Sequence, residues 1–167
     1  LILSEAGAQV TKVERPDGEE IRHYDPLWGS SSIQFNLLNR GKRSITVDLK
    51  DKDARATLEP LIKETDILIE QFRPGVMSRL GLDSETVRKI RPDIVYCSIT
   101  GYGQHGPKSA IAGHDLNYIA DTGLLSLSFG NTGKTVVPPA LVADIGGGTM
   151  PSVINILLAL LRKNASG

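Results

Sequence analysis

Two short stretches hold the residues best suited to chemistry. Ala112-Gly113-His114-Asp115-Leu116-Asn117-Tyr118 gathers an imidazole, a carboxylate, an amide and a phenol. Leu141-Val142-Ala143-Asp144-Ile145-Gly146-Gly147-Gly148 sets one carboxylate in an apolar run and follows it with three glycines. A charge among apolar residues costs several kcal/mol unless it is paired, solvated or needed for function. Glycine removes the side chain that would keep a ligand from the backbone. An imidazole exchanges protons near neutral pH, and a carboxylate held in an apolar pocket becomes a competent acid or base. His114 and Asp144 are 30 positions apart, so only the fold can join them. The alternative for His114 is a helix N-terminal residue bonded to a loop carbonyl. Asp115, on the first turn of the same helix, reads as a partner of the helix dipole. His23 and His105 lie in polar loops and read as surface residues, and no spacing suggests a metal site.

A second set of residues suits anions. Arg15, Arg40, Lys42, Arg43, Arg73 and Arg79 fall in or beside loops predicted at strand ends. The arginine fork gives phosphate bidentate, permanently charged contacts. Surface cations are common and most hold nothing, but these six together, on the expected ligand side of a sheet, favour a phosphate-bearing cofactor. No GxGxxG or Walker-type loop is present, and Gly146-Gly147-Gly148 alone is too weak to stand for one.

The elements that must position these residues alternate. Residues 1–6 read as a last helical turn stopped by Gly7, and 8–14 as a strand broken by Arg15-Pro16-Asp17-Gly18. Residues 33–38 are a short helix or extended piece, and 44–49 a second strand. Residues 51–64 form a helix with Ala54, Leu58, Leu61 and Ile62 along one face. A strand at 66–70, helices near 75–80 and 84–90, and a strand at 93–100 follow. The second of those helices is capped by Asp83 or Ser84. This order predicts βαβ units and an α/β fold with a parallel sheet and flanking helices, ligands lying beyond the carboxyl ends of the strands. A helix at 114–122, a Ser/Gly-rich segment at 124–133, and a helix from about 141 to 163, interruptible at Pro151, complete the chain.

Bulk properties narrow the classes. The 167 residues suffice for one domain with a core, and 40% hydrophobic with 23% charged residues excludes disordered and fibrous chains. Nineteen cations balance nineteen anions, so nothing pulls the chain as a whole toward nucleic acid or an anionic membrane. The single Cys97 lies in an apolar strand with no partner base and reads as a core thiol, suited to a reducing compartment. The longest mainly apolar stretch, 153–161, is far short of the roughly 20 residues of a membrane span. The chain starts Leu-Ile-Leu-Ser-Glu, without a secretory leader, and both ends read as cuts through a longer protein.

Several stretches resemble the class III CoA-transferase (CaiB/BaiF) family, and within it the α-methylacyl-CoA racemase branch. They are Gly7-Ala8 through Val13-Glu14-Arg15-Pro16, Asn39-Arg40-Gly41-Lys42-Arg43-Ser44-Ile45, and Asp66-Ile67-Leu68-Ile69-Glu70-Gln71-Phe72-Arg73-Pro74-Gly75-Val76. Arg79-Leu80-Gly81, Thr100-Gly101-Tyr102-Gly103-Gln104, the Gly113–Tyr118 stretch and Ala143-Asp144 continue the match in order. The resemblance implies a Rossmann-like, CoA-binding N-terminal domain over 1–167, lacking its first strand and helix and its C-terminal half. It further implies an interlocked homodimer and an acyl-CoA thioester as substrate, with coenzyme A arriving as part of that substrate rather than as a resident cofactor. No metal, nucleic-acid or membrane partner is expected. A cytoplasmic place is implied, or a mitochondrial or peroxisomal one in a eukaryote. The family's CoA-contacting positions correspond to Arg15, Lys42, Arg43, Phe72 and Arg73 beside the adenine, Val76 and Arg79. Its acidic catalytic residue falls on Asp144, a nucleophile in transferases and a proton-transfer group in racemases. A His at the position of His114 is the second proton-transfer group of racemases, assisted there by a Glu from the C-terminal part. The Gly-His-Asp-Leu-Asn-Tyr context favours the racemase; a transferase passing CoA between carboxylic acids is the alternative.

Overall fold

A computed structural model describes residues 1–130 and 133–166. Its contacts group into two units, Leu1–Leu61 and Ile62–Gly167, each with one parallel strand pair. The architecture is mixed α/β with parallel sheets and flanking helices, as the alternation of elements predicts.

In the first unit, helix α1 (Ile2–Glu5) ends at Ala6, and Gly7 turns the chain with φ 99°. Strand β1 (Thr11–Glu14) follows, then a 3-10 turn over Glu20–His23 and a small antiparallel pair, β2 (Leu27–Trp28) with β3 (Ser31–Ser32). Helix α2 (Ile33–Asn39) begins where Ser32 Oγ accepts from the Phe35 N–H at 2.9 Å, satisfying one of the donors a helix start leaves open. Strand β4 (Arg43–Thr46) then lies parallel to β1, with Thr11 opposite Arg43 and Glu14 opposite Thr46. The strands are shorter than the alternating pattern predicts, because only the residues that find a partner join the ladder. Helix α3 (Ala54–Glu64) buries Ala54, Leu58 and Ile62, spaced by four, while Leu61 is 39% exposed.

The second unit repeats the βαβ logic. Strand β5 (Ile67–Glu70) is followed by α4 (Val76–Arg79) and α5 (Ser84–Ile90), and β6 (Val95–Ser98) returns parallel to β5. Asp83 caps α5, its carboxylate accepting from the Thr86 N–H at 3.0 Å, and that bond holds its carboxyl below the usual range. Leu82, Val87 and Ile94 form the buried centre with Ile119 and Ile156 from later helices. Helix α6 (Asp115–Asp121) ends at Thr122, ahead of Gly123 at φ 79°. A 3-10 turn at Leu124–Leu127 and an isolated bridge from Phe129 to Thr135 occupy the Ser/Gly-rich segment, of which Asn131 and Thr132 lie outside the described residues.

The last helical stretch has two windings. Val142–Thr149 is π-helical, and α7 (Met150–Ser166) continues it. Pro151 does not interrupt it: its missing N–H falls where the ladder changes from one winding to the other. The continuous stretch Val142–Ala165 is 24 residues long with mean hydropathy 1.4, long and apolar enough by those measures to cross a bilayer. Residues 153–161 taken alone understate it, because the residues before them, Gly146-Gly147-Gly148 among them, join the same helix. Here it packs on β6, with Ile156 buried. Its orientation is set at two points. Ser152 lies beside the Cys97 thiol near the carboxyl end of β6, and Lys163 Nζ meets Asp93 at 2.6 Å and Asp66 at 3.6 Å beside the amino ends of β6 and β5. The helix therefore runs antiparallel to β6, and its head lies toward the carboxyl ends of the strands. Arg91 joins the same acidic pair. Lys163 and Arg91 together hold the Asp93 carboxyl down at about 2. Cys97 is half-buried, and burial pushes its thiol up, consistent with a packing role.

Candidate active site

The carboxyl end of β6 leads into a loop that Tyr118 organises. Its hydroxyl donates to the Gly113 carbonyl at 2.7 Å, and its ring meets Tyr102 edge-on at 5.1 Å between centroids. Tyr102 donates in turn to Asp121 at 2.7 Å, which Lys108 pairs at 2.9 Å. That bond to Asp121 pushes the Tyr102 phenol up to about 12. The Tyr118 ring leaves no room for side chains beside it. A Cβ at Gly101 would stand 2.1 Å from its hydroxyl, and one at Gly113 would stand 2.7 Å from its ring. Gly101→Ala is expected to destabilise the fold by about 1–3 kcal/mol through overpacking. In urea melts, Gly101→Ala combined with Tyr118→Ala should cost less than the sum of the two single changes. Strict additivity would show that the close approach is not what the glycine serves.

This frame fixes the backbone at His114. Its N–H donates to Asn117 Oδ1 at 3.0 Å, and its carbonyl accepts from the Asn117 N–H at 2.9 Å. The imidazole is exposed. The next residue, Asp115, is 7% exposed, and its Oδ1 accepts from the backbone N–H of Asp144 at 2.8 Å. Sequence spacing assigns Asp115 to the helix dipole; the structure gives its side chain a definite partner 29 positions ahead, a relationship no local pattern encodes. Through that bond the two chemistry-bearing stretches meet. Asp144 itself is exposed, with Leu141, Val142 and Ile145 exposed around it, so the expected enclosure in an apolar pocket is not found within this chain. The Asp144 carbonyl accepts from Thr149 Oγ1 at 3.0 Å, inside the π-wound turn. A cleft of about 230 Å³ lies alongside, between Asp115, Leu116 and Ile119 on one wall and Val137–Leu141 on the other.

The anion-binding candidates divide between the units. In the first, Arg15 directly follows β1 at its carboxyl end, Nε donating to the Gly18 carbonyl at 2.6 Å, with the guanidinium exposed. Glu14, beside it, is buried under a two-pronged pair with Arg22 at 2.7 Å on each prong, and Ser44 donates to it at 2.5 Å. Lys42 instead precedes β4 and Arg43 is its first residue, so both stand at its amino end. Because β1 and β4 are parallel, they stand at the opposite end of the pair from Arg15. The expectation that all six cations share the carboxyl side therefore fails for this turn. Lys42 donates to Asn39 Oδ1 at 2.8 Å, Arg40 pairs with Glu5, and Arg43 is exposed. In the second unit, Phe72 and Arg73 follow β5 at its carboxyl end and are exposed, the Phe72 N–H donating to buried Glu70 at 2.8 Å. Gly75, at φ 81°, turns the chain into α4, which carries Val76 and Arg79. Among the described residues, no group of three or more His, Cys, Asp or Glu side chains could hold a metal ion.

The sequence profile of CoA-transferase family III matches residues 1–167. Alpha-methylacyl-CoA racemase of Mus musculus is 38% identical over 168 residues, covering 100% of this chain and 40% of that protein, and its Homo sapiens counterpart is 36% identical over the same shares. Acetyl-CoA:oxalate CoA-transferase of Acetobacter aceti is also 38% identical, over 99% of this chain and 43% of its own length. Among solved structures, a CAIB/BAIF family protein from Brucella suis superposes with a TM-score of 0.89 at 36% identity, covering 99% of this chain and 45% of that one. The chain thus spans about 40% of the length of the curated relatives it matches.

Proposed function

The chain belongs to CoA-transferase family III, and from that membership we propose that its parent enzyme interconverts (R)- and (S)-2-methylacyl-CoA thioesters, with His114 and Asp144 as the proton-transfer groups. One group takes the proton α to the thioester carbonyl, leaving an enolate. The other returns a proton to the opposite face, so no atom is gained or lost. The observation that carries this reading is the Asp115–Asp144 hydrogen bond, which brings the carboxylate-bearing turn to the residue next to His114. Racemisation needs two such groups flanking a planar enolate, whereas nucleophilic transfer needs only one.

In this proposal residues 1–167 are the CoA-binding, Rossmann-like part of a longer chain that works as an interlocked homodimer in the cytoplasm, or in a mitochondrion or peroxisome. Arg15, Lys42, Arg43, Phe72, Arg73, Val76 and Arg79 are its CoA-contacting residues, Phe72 and Arg73 lying beside the adenine. The exposure of Arg15, Arg43, Phe72 and Arg73 suits such a role. Coenzyme A comes and goes with the substrate, and no metal is involved.

Incubating the parent enzyme with one epimer in deuterated water is expected to place deuterium on the α-carbon as the epimers equilibrate. Turnover without label would refute the racemase. The second reading is a CoA-transferase, favoured by the equal identity of the oxalate enzyme. There a carboxylate oxygen of Asp144 attacks the thioester carbonyl, the CoA thiolate leaves, and an aspartyl anhydride forms. Hydroxylamine trapping of an acyl group on Asp144 would identify it.

A further inference from the structure

We propose that Asp115 is a positioning residue, whose buried carboxylate fixes the main chain at Asp144 and so sets where the Asp144 carboxylate stands relative to His114. The proposal rests on the assignment of chemistry to Asp144, which the racemase and transferase readings share.

Three observations lead to it. First, Asp115 is buried while its neighbours His114 and Leu116 are exposed, so the one carboxylate placed out of water here is the one with a remote partner. Burying a polar group is unfavourable unless it is bonded, and this one is. Second, that partner is the Asp144 N–H, in the first turn of the helical stretch beginning at Val142. Such N–H groups have no acceptor within their own helix. A cap from an adjacent residue would satisfy this donor equally well; a cap from 29 positions back ties two segments together. Among the described residues, this is the hydrogen bond found between Gly113–Thr122 and Leu141–Thr149. Third, the donor side of the tie is glycine-rich and uncrowded, and the acceptor side is bonded and packed. The π-wound turn contains Gly146, Gly147 and Gly148, and a Cβ at Gly146 or Gly147 would meet nothing within 4 Å. The backbone beside Asp115 is held by Asn117 and Tyr118, and Ile119 behind it is 2% exposed. A glycine-rich turn carrying the reacting carboxylate is thus referenced to a packed frame by one bond.

Two variants of the parent enzyme test this. Asp115→Asn keeps an acceptor oxygen in place and should hold kcat within about threefold of the natural enzyme. Asp115→Leu removes the acceptor at similar size. Displacing a reacting group by about 1 Å costs up to roughly 10²-fold, so kcat per folded molecule should fall about 100-fold, while KM for the acyl-CoA stays within about threefold. A merely structural role would lower the folded fraction in both variants and leave that kcat–KM split and the Asn rescue unseen. In the unaltered enzyme, the Asp144 amide should exchange with deuterium at least about tenfold more slowly than that of Gly146, a readout independent of any variant's folding. Unchanged kcat in Asp115→Leu, equal damage from Asn and Leu, or equal exchange at Asp144 and Gly146 would each overturn the proposal. Parallel measurement of Asp144→Asn separates the two failures. If that variant keeps full activity, the assignment of chemistry to Asp144 is wrong; if it is inactive while Asp115→Leu is not, only the tether is wrong.

Discussion

Asp144→Asn is expected to lower kcat about 10³-fold, with KM for the acyl-CoA nearly unchanged. The amide neither takes a proton nor attacks a carbonyl, and acid–base groups of this kind contribute about 10²–10⁴-fold. The change removes charge without volume from an exposed side chain, and its backbone N–H still reaches Asp115, so the fold has no reason to respond. His114→Ala then discriminates between the chemistries. In a racemase it removes the second proton-transfer group, and both racemisation and α-deuterium exchange should fall by a comparable 10²–10³-fold. In a transferase the aspartyl anhydride still forms, and the loss should stay within about tenfold. The checks are exchange followed by proton NMR and CoA transfer followed by chromatography. A His114→Ala enzyme that still racemises at nearly the natural rate would end the two-base account.

The largest effect on stability is expected at Glu14. Its carboxylate is 5% exposed and receives two bonds from Arg22 and one from Ser44, while the Arg22 guanidinium carbon lies 3.7 Å from the Phe35 ring centroid. Removing one member of such a buried pair costs about 3–5 kcal/mol, because the other charge is left without its partner. Glu14→Leu should therefore unfold at markedly lower urea than the natural chain at neutral pH. The acid profile has a definite sign. The bonds from Arg22, ahead of that from Ser44, hold the Glu14 carboxyl at about 2, below the ordinary 4.5. A carboxyl depressed on folding contributes stability that is present above 4.5 and lost as pH falls toward 2, on the order of 3 kcal/mol in all. Urea midpoints of the natural and Glu14→Leu chains should accordingly converge between pH 4.5 and 2. Curves that stay parallel down to pH 2.5 would show that the pair does not carry this linkage. Glu14 also precedes Arg15, so the variant should raise KM for an acyl-CoA if Arg15 meets its phosphates.

The features legible in the sequence were those set by neighbours along the chain. Asp83 capping α5, Gly7 and Gly123 ending helices, and the β5–α4–α5–β6 order all follow from residues within a few positions of one another. What stayed hidden depends on pairing across distance. The basic turn at Lys42-Arg43 is conspicuous in composition, but which end of the sheet it occupies depends on β4 lying parallel to β1 and starting at Arg43. Asp115 looks like any acidic residue on a first helical turn until the fold brings the Asp144 N–H to it. The exposure of Asp144 was also illegible, since an apolar run suggests burial and the run's own side chains turn out to face away from cover. The π winding around it had no local signal beyond three consecutive glycines.

The long helix ending at Ser166 has a mechanical consequence. A rod held at one point can still slide and spin; held at two, it has a fixed height and azimuth. Its tail is held where Lys163 meets Asp66 and Asp93, its head where Asp144 meets Asp115. At about 1.5 Å and 100° per residue, a register slip of a single residue would swing the Asp144 carboxylate to another side of the helix. Two modest polar contacts nineteen residues apart thus index a carboxylate as a keyed shaft indexes a cam.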